Sequence, residues 1–320
     1  MVWQCDSRIV LDDNTQPGRV GVPELVQRTN NYAFEGEQIQ WRVLVLDKNG
    51  IDKVSDVFMT IGSSQGAGND IEANCILSEI LRDADQIEDS CNARIGQADL
   101  EDVFQNHTAA YYDCIFTVET PLSMYGEYWI TVEALDIDGL SGTMNENEYW
   151  FLNPVVALAV DGNLAFDNVR PGTSVYSSTI LVENDADIGS GVMLDMFISG
   201  TDFYDSSSSG ARCPTTNQLS LDAFRYYVVN GAYGSRGDAR SDDAGYLPIG
   251  YGIGFNNPNQ FYGAYEILQE APMVVSGATY YMANILAPGA EMALTFRLDL
   301  PEPCNGDFDT GSIYFWGEAI

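Results

Sequence analysis

The sequence predicts a mainly β protein of two β-sandwich domains, with one short helical insertion in the first. Three observations carry this. Apolar residues alternate at period two in several runs, Gly, Pro, Asn and Asp punctuate them, and helical spacing is confined to one stretch. At 320 residues the chain exceeds the size at which a single core usually stops growing.

Trp41, Val43 and Val45 alternate inside residues 37–46, Asp47-Lys48-Asn49-Gly50 follows, and Val54 to Ile61 is again β-rich. This predicts strand, tight turn, strand. Tyr111 to Glu119 predicts another strand, and Tyr128, Ile130, Val132 and Ala134 alternate as a half-buried strand. Between these runs Ile76, Leu77, Ile80, Leu81, Ala84 and Ile87 recur at three and four, with an echo at Leu100, Val103 and Phe104. They predict a helical insertion near residues 76–105, packed on a sheet.

Leu152-Asn153-Pro154 is a stiff junction, because proline restricts itself and the residue before it. It divides the chain into domains 1–153 and 154–320. In the second domain one phrase occurs twice: Val169-Arg170-Pro171-Gly172 before Ser174 to Val182, and Leu286-Ala287-Pro288-Gly289 before Met292 to Leu300. Each reads as a preset turn feeding a strand. Residues 206–210 and 231–245, rich in Gly, Ser, Asn and Tyr, read as long loops, and Ser312 to Trp316 as another strand.

Net charge is −33, from 47 acidic and 14 basic side chains, and Lys48 and Lys53 are the lysines. Phosphate backbones are bound by basic residues that displace counterions, so nucleic acid is not an expected partner. Such self-repulsion suits high salt, acid or divalent cations. The apolar stretch from Tyr149 to Phe166 is broken by Asn153, Pro154, Asp161, Gly162 and Asn163, so no membrane span is expected. Met1 to Asp6 lacks the basic and apolar regions of a leader.

Six cysteines, Cys5, Cys75, Cys91, Cys114, Cys213 and Cys304, contain no C-x-x-C pair. Disulfides in an oxidising, extracellular compartment are the expectation. Cys213 is expected to pair with Cys304. Among the other four, three connectivities are open, with Cys75–Cys91 and Cys5–Cys114 preferred.

Hard cations favour Asp, Asn and carbonyl oxygens in tight turns, so calcium is the candidate cofactor. The candidate ligands are Asp47, Asn49 and Asp52 in one turn, Asp136 and Asp138 in a second, and Asp185 and Asp187 after Asn184. Asp242-Asp243 offers a fourth loop. Each is equally an ordinary turn sequence. Asn106 heads a glycosylation sequon beside His107, the chain's single histidine. Gly62-Ser63-Ser64-Gln65-Gly66 matches the nucleophile elbow G-x-S-x-G, but Ala67-Gly68-Asn69-Asp70 after it reads as loop. Acids are too many to single out a glycosidase pair, and no catalytic residue is assigned. Tyr246, Tyr251, Tyr262, Tyr265, Tyr280 and Tyr281, interleaved with Gly and Asn, suit sugar or protein contacts as well as sandwich packing.

Gly126 to Ala134, followed by Asp136-Ile137-Asp138-Gly139, resembles the last strands of immunoglobulin-like domains in bacterial and archaeal surface proteins. Pro171-Gly172, then a strand, then Val182-Glu183-Asn184 resembles the jelly-roll subunits of archaeal and bacterial extracellular filaments. Glu148 to Pro154, through Phe166 to Asp205, is similar to predicted surface proteins of small-genome archaea. Together these resemblances imply a non-enzymatic structural subunit of an extracellular filament or surface layer, assembling with copies of itself. The alternative is an adhesin or carbohydrate-binding module with glycans or other surface proteins as partners.

Overall fold

The computed structural model describes residues 1–5, 8–15, 25–28, 30–69, 71–91, 107–144, 148–207, 210, 212–214, 217–252, 265–275 and 278–320. Asn106, Tyr262 and the echo at Leu100 to Phe104 lie outside the described residues. The architecture is mainly β, in curled and largely antiparallel sheets. Among the described residues no helix is long and apolar enough to cross a membrane. The chain forms two compact units, one of Met1–Asp13, Leu25–Pro154 and Gly189–Gly191, the other of Asn14–Glu24, Val155–Ile188 and Val192–Ile320.

In the first unit the alternation of Gln38–Leu46 decides what it buries. Ile39, Trp41, Val43 and Val45 enter one core with Val57, Met59, Ile61, Ile130, Val132 and Trp150. The rings of Trp41 and Trp150 meet edge to face at 5.4 Å. Leu44 and Leu46, on the opposite face, enter a second cluster with Leu81, Ile87 and Tyr111. Gln38–Leu46 pairs along its whole length with Ala109–Thr117, and Val54–Gly62 pairs with Gly126–Asp136. The two runs flanking Asn49-Gly50 therefore do not form the expected hairpin. Ile51, in a 3₁₀ turn Ile51–Lys53, is buried and directs the chain to a different part of the sheet.

The expected helix near residue 76 is corrected. Ile71–Ile80 is a strand whose Ile71 to Asn74 pair with Phe58 to Ile61, while Cys75 to Ile80 pair with Ala110 to Cys114. The ladder overrides a helical spacing that is only local, and leaves Ile76 and Leu77 exposed. Beyond the strand the chain makes a 3₁₀ turn, Ala84–Gln86, whose capping box is closed by Asp83 and Gln86.

The preferred pairing of the first four cysteines is corrected as well. Cys75 faces Cys114 across adjacent strands and is bonded to it. Cys5 is bonded to Cys91, fastening the segment from Leu81 over the outer face of Gln38–Leu46.

In the second unit the two Pro-Gly phrases are partners. Gly172 and Gly289 turn with φ of 73° and 74°, as the left-handed position after proline requires. The strands they feed, Ser174–Asn184 and Glu291–Asp299, pair antiparallel. The Gly172 N–H donates to Leu300 O at 2.8 Å, and the Gly289 N–H to Asn184 O at 2.7 Å. Each turn thus closes the end of the other's strand. Phe224–Asn230 continues this sheet. A separate sheet centres on Leu194–Gly200, buried at every position and paired along its length with Ile313–Ala319. Cys213 is bonded to Cys304 in this unit.

Candidate functional site

Four short pieces of the second unit converge on an open cleft of about 540 Å³. Leu194–Gly200 ends there and hands on Thr201 and Asp202, and Phe203–Asp205 supplies Tyr204. Gly250–Tyr251 brings Tyr251 and Gly252, and Phe308–Thr310 leads into Gly311 and Ser312. Backbone bonds fix the walls: the Thr201 N–H donates to Ser312 O at 2.9 Å, and the Gly252 N–H to Gly200 O at 3.0 Å. The Ser312 N–H donates to Thr201 Oγ1 at 3.1 Å. A Cβ at Gly311 would stand 2.5 Å from Phe203 Cδ1 and 2.9 Å from Asp202 O, so only glycine lets the walls approach this closely.

Tyr204 and Tyr251 are 41% and 45% exposed. Asp202 is the one carboxylate among the described lining residues. Its Oδ1 accepts the Leu221 N–H at 2.8 Å, and Oδ2 accepts from the Gln218 amide. The Tyr251 hydroxyl lies 2.7 Å from Ser220 Oγ, and the Tyr265 hydroxyl donates to Tyr251 O. Burial, opposed by the bond with Ser220 and aided by Asp202, holds the Tyr251 phenol above its ordinary range, so it stays protonated and able to donate. The arrangement offers two ring faces, an oriented carboxylate and hydroxyls from Thr201, Thr310 and Ser312. It is chemistry for a ligand with apolar ring faces and many hydroxyls. Glycoside hydrolysis normally takes two carboxylates, and the described lining residues include one.

The structure separates the expected cation ligands. Asp47, Asn49 and Asp136 line one depression of about 250 Å³ with Lys48. Asp47 Oδ1 accepts the Asn49 N–H at 2.8 Å, and Asp136 Oδ1 accepts the Asp138 and Leu140 N–H groups at 2.9 and 2.7 Å. One oxygen of each is therefore engaged by its own turn. Asp52 instead pairs with Lys53, 3.3 Å away. In the other unit Asp185 is exposed, and Asp187 Oδ2 accepts the Val155 N–H at 2.8 Å. Asp242 holds its turn through the Ala244 and Tyr246 N–H groups and pairs with Arg297 at 2.7 Å. Among the described residues, Cys5, Glu88 and Cys91 bring their ligand atoms within 4.8 Å of one another. That spacing could hold a metal ion with the cysteines reduced, but here the two sulfurs are bonded to each other.

Gly62 to Gly66 lies between the antiparallel strands Val54–Gly62 and Ile71–Ile80, with Asn69 donating to Ser64 O and Gly66 O. It is a hairpin loop and lacks the strand-to-helix turn of a nucleophile elbow. His107 is exposed, with a positive φ of 67°. Of the tyrosines singled out in the sequence, Tyr251 lines the cleft, Tyr265 supports it, and Tyr280 is buried. Asp202, Tyr204 and Thr310 were not legible as a site. Their one signal is a glycine followed by a hydroxyl residue, Gly200-Thr201 and Gly311-Ser312, the second at the start of a predicted strand.

No family model matches this sequence, and no curated protein does. Among solved structures, the chain is similar to the C-terminal domain of the AgI/II polypeptide BspA of Streptococcus agalactiae, at 12% identity over 98% of this chain and 96% of that one, with a TM-score of 0.33. A DUF4466 family protein from Parabacteroides merdae is 11% identical over 92% of this chain and 98% of that one, with a TM-score of 0.24. Both scores are too low to equate the folds.

Proposed function

We propose that this chain is an extracellular, non-enzymatic binding protein of adhesin type, whose second unit holds a neutral saccharide in the cleft beside Asp202. The observation that carries the reading is the pair of exposed rings, Tyr204 and Tyr251, flanking a carboxylate already oriented by Leu221 and Gln218. Rigid rings bury area at low entropic cost, and an ionised carboxylate accepts strongly from sugar hydroxyls. The extracellular setting is supported by six cysteines all paired in disulfides. A glycan array followed by calorimetry tests it: binding that weakens in Y204A and Y251A supports the cleft, and an array without hits overturns it.

A self-assembling subunit of a filament or layer is the second reading. It is favoured by Leu158–Asp161, a strand that among the described residues pairs on one flank only. Regular polymers in electron micrographs would support it. The immunoglobulin-like and jelly-roll-like assignments belong to the proposal too, supported by Trp41 in the core of the first unit and by the paired Pro-Gly strands of the second. Calcium is proposed for the depression shared by Asp47, Asn49 and Asp136, tested by a calcium-dependent rise in Tm that D47N and D136N remove.

A further inference from the structure

We propose that the outer face of the sheet formed by Ser174–Asn184, Glu291–Asp299 and Phe224–Asn230 holds a second ligand site, for a saccharide bearing a single carboxylate. It shares no residue with the cleft beside Asp202 and does not depend on the neutral saccharide assigned there. Phe224, Tyr226, Val228, Leu294, Phe296 and Leu298 are buried, so the alternate residues of these strands face outward. Register sets Tyr176 opposite Arg297, and Arg297 opposite Arg225. Tyr227 follows Arg225 on the same face.

Tyr246 ties the face together. Its ring lies 5.9 Å from that of Tyr176 and 5.6 Å from that of Tyr227, and the Arg297 guanidinium sits 4.6 Å from its centroid. Arg236 comes in from the side. A Cβ at Gly245 would stand 2.6 Å from Arg236 Cγ and 3.2 Å from Tyr227 Cε2, so the arginine stem and the Tyr227 ring both lie over that glycine. Tyr176 is 60% exposed, Arg236 is exposed, and Arg225 and Tyr227 are half-buried.

Charge identifies the class of ligand. Like charges directly opposite on paired strands repel, and with 47 acids to 14 basic side chains, acidic partners abound in this chain. Arg297 is neutralised twice, by Asp242 at 2.7 Å and by Asp299 at 3.0 Å. Among the described residues, Arg225 and Arg236 have no acid within ion-pair distance. Two uncompensated guanidiniums therefore flank tyrosine rings that solvent reaches. A guanidinium fork takes a carboxylate through two parallel hydrogen bonds, and a tyrosine ring offers its face to a sugar ring. A polyanion is disfavoured, because beyond this patch it would meet a molecule of net charge −33. A second copy of the chain meets the same repulsion.

The test is calorimetry and saturation-transfer NMR of the full chain with sodium glucuronate, and with glucose, inorganic phosphate and inorganic sulfate at matched ionic strength. Glucuronate is expected to bind, and Arg225→Gln and Arg236→Gln, checked by circular dichroism for an intact fold, are each expected to weaken it about tenfold. Tyr176→Ala is expected to weaken it as well, and Tyr251→Ala, in the cleft, to leave it unchanged. Phosphate or sulfate bound as tightly as glucuronate overturns the saccharide assignment. Glucuronate binding lost in Tyr251→Ala puts the ligand in the cleft and overturns the second site. Binding that is absent, or unchanged in both arginine variants, overturns the proposal. None of these results decides the neutral saccharide beside Asp202, which the glycan array tests by itself.

Discussion

Cys5 is bonded to Cys91, 86 positions away in sequence, with their Cα atoms 4.5 Å apart. Around this bond Arg42 reaches Glu88 at 3.1 Å and Asp113 at 2.8 Å, and the Glu88 N–H donates to the Tyr111 hydroxyl at 2.7 Å. These contacts hold one short segment against the outer face of Gln38–Leu46. Replacing both cysteines by alanine is expected to cost about 2–4 kcal/mol, measured by denaturant unfolding. Hydrogen exchange should accelerate first across residues 81–91 and leave the strand bearing Trp41 protected.

Asp238 is fully buried and pairs with Arg240 at 2.6 Å. Burial pushes its carboxyl up, but the Arg240 guanidinium and the N–H groups of Arg240 and Gln269 outweigh burial and hold it below the usual range. A carboxyl depressed in the folded state contributes stability that is complete above its unfolded value of about 3.9, and that is lost as pH falls through the depressed value. Asp238→Asn is expected to cost about 1.5–3 kcal/mol at neutral pH, because it removes the charge from hydrogen bonds that a buried carboxylate makes to the part-exposed Arg240 and to the Gln269 N–H. The gap between variant and parent should narrow as the pH is lowered below about 4, read from urea midpoints at each pH.

In the cleft, Tyr251→Ala and Tyr204→Ala are each expected to weaken saccharide binding tenfold or more, about 1.4 kcal/mol. Tm should change only modestly, because both rings lie at the surface, 41% and 45% exposed, and outside the buried core. Gly311→Ala tests the walls, since its methyl would meet Phe203 and the Asp202 carbonyl. Calorimetry should show lost affinity there without removal of any ring or carboxylate.

Trp150 is fully buried against Trp41. Trp150→Ala is expected to cost about 3–5 kcal/mol through the lost burial and the cavity left behind. Thermal unfolding followed by far-UV circular dichroism would measure it.

Local chemistry made part of this protein legible. The alternation of Trp41, Val43 and Val45 and of Ile130 and Val132 specified strands with one face in a core, and both Pro-Gly phrases specified turns, because side-chain period and backbone φ are properties of a few neighbouring residues. It misled where local and long-range preferences disagreed. Ile76, Leu77 and Ile80 have helical spacing, yet pairing with Ala109–Thr117 makes them a strand. Asn49-Gly50 suits a hairpin, yet burial of Ile51 sends the chain elsewhere.

By itself, then, the sequence determined a mainly β, acidic chain with strands, turns and cysteines at stated places. Only the tertiary structure decided that Cys5 meets Cys91 and Cys75 meets Cys114, and that Asp202, Tyr204, Tyr251 and Thr310 share one cleft. The reason is physical: these groups come from stretches far apart in the chain, and their proximity is set by which strands pair, an outcome of burying the whole core that no local run of residues encodes.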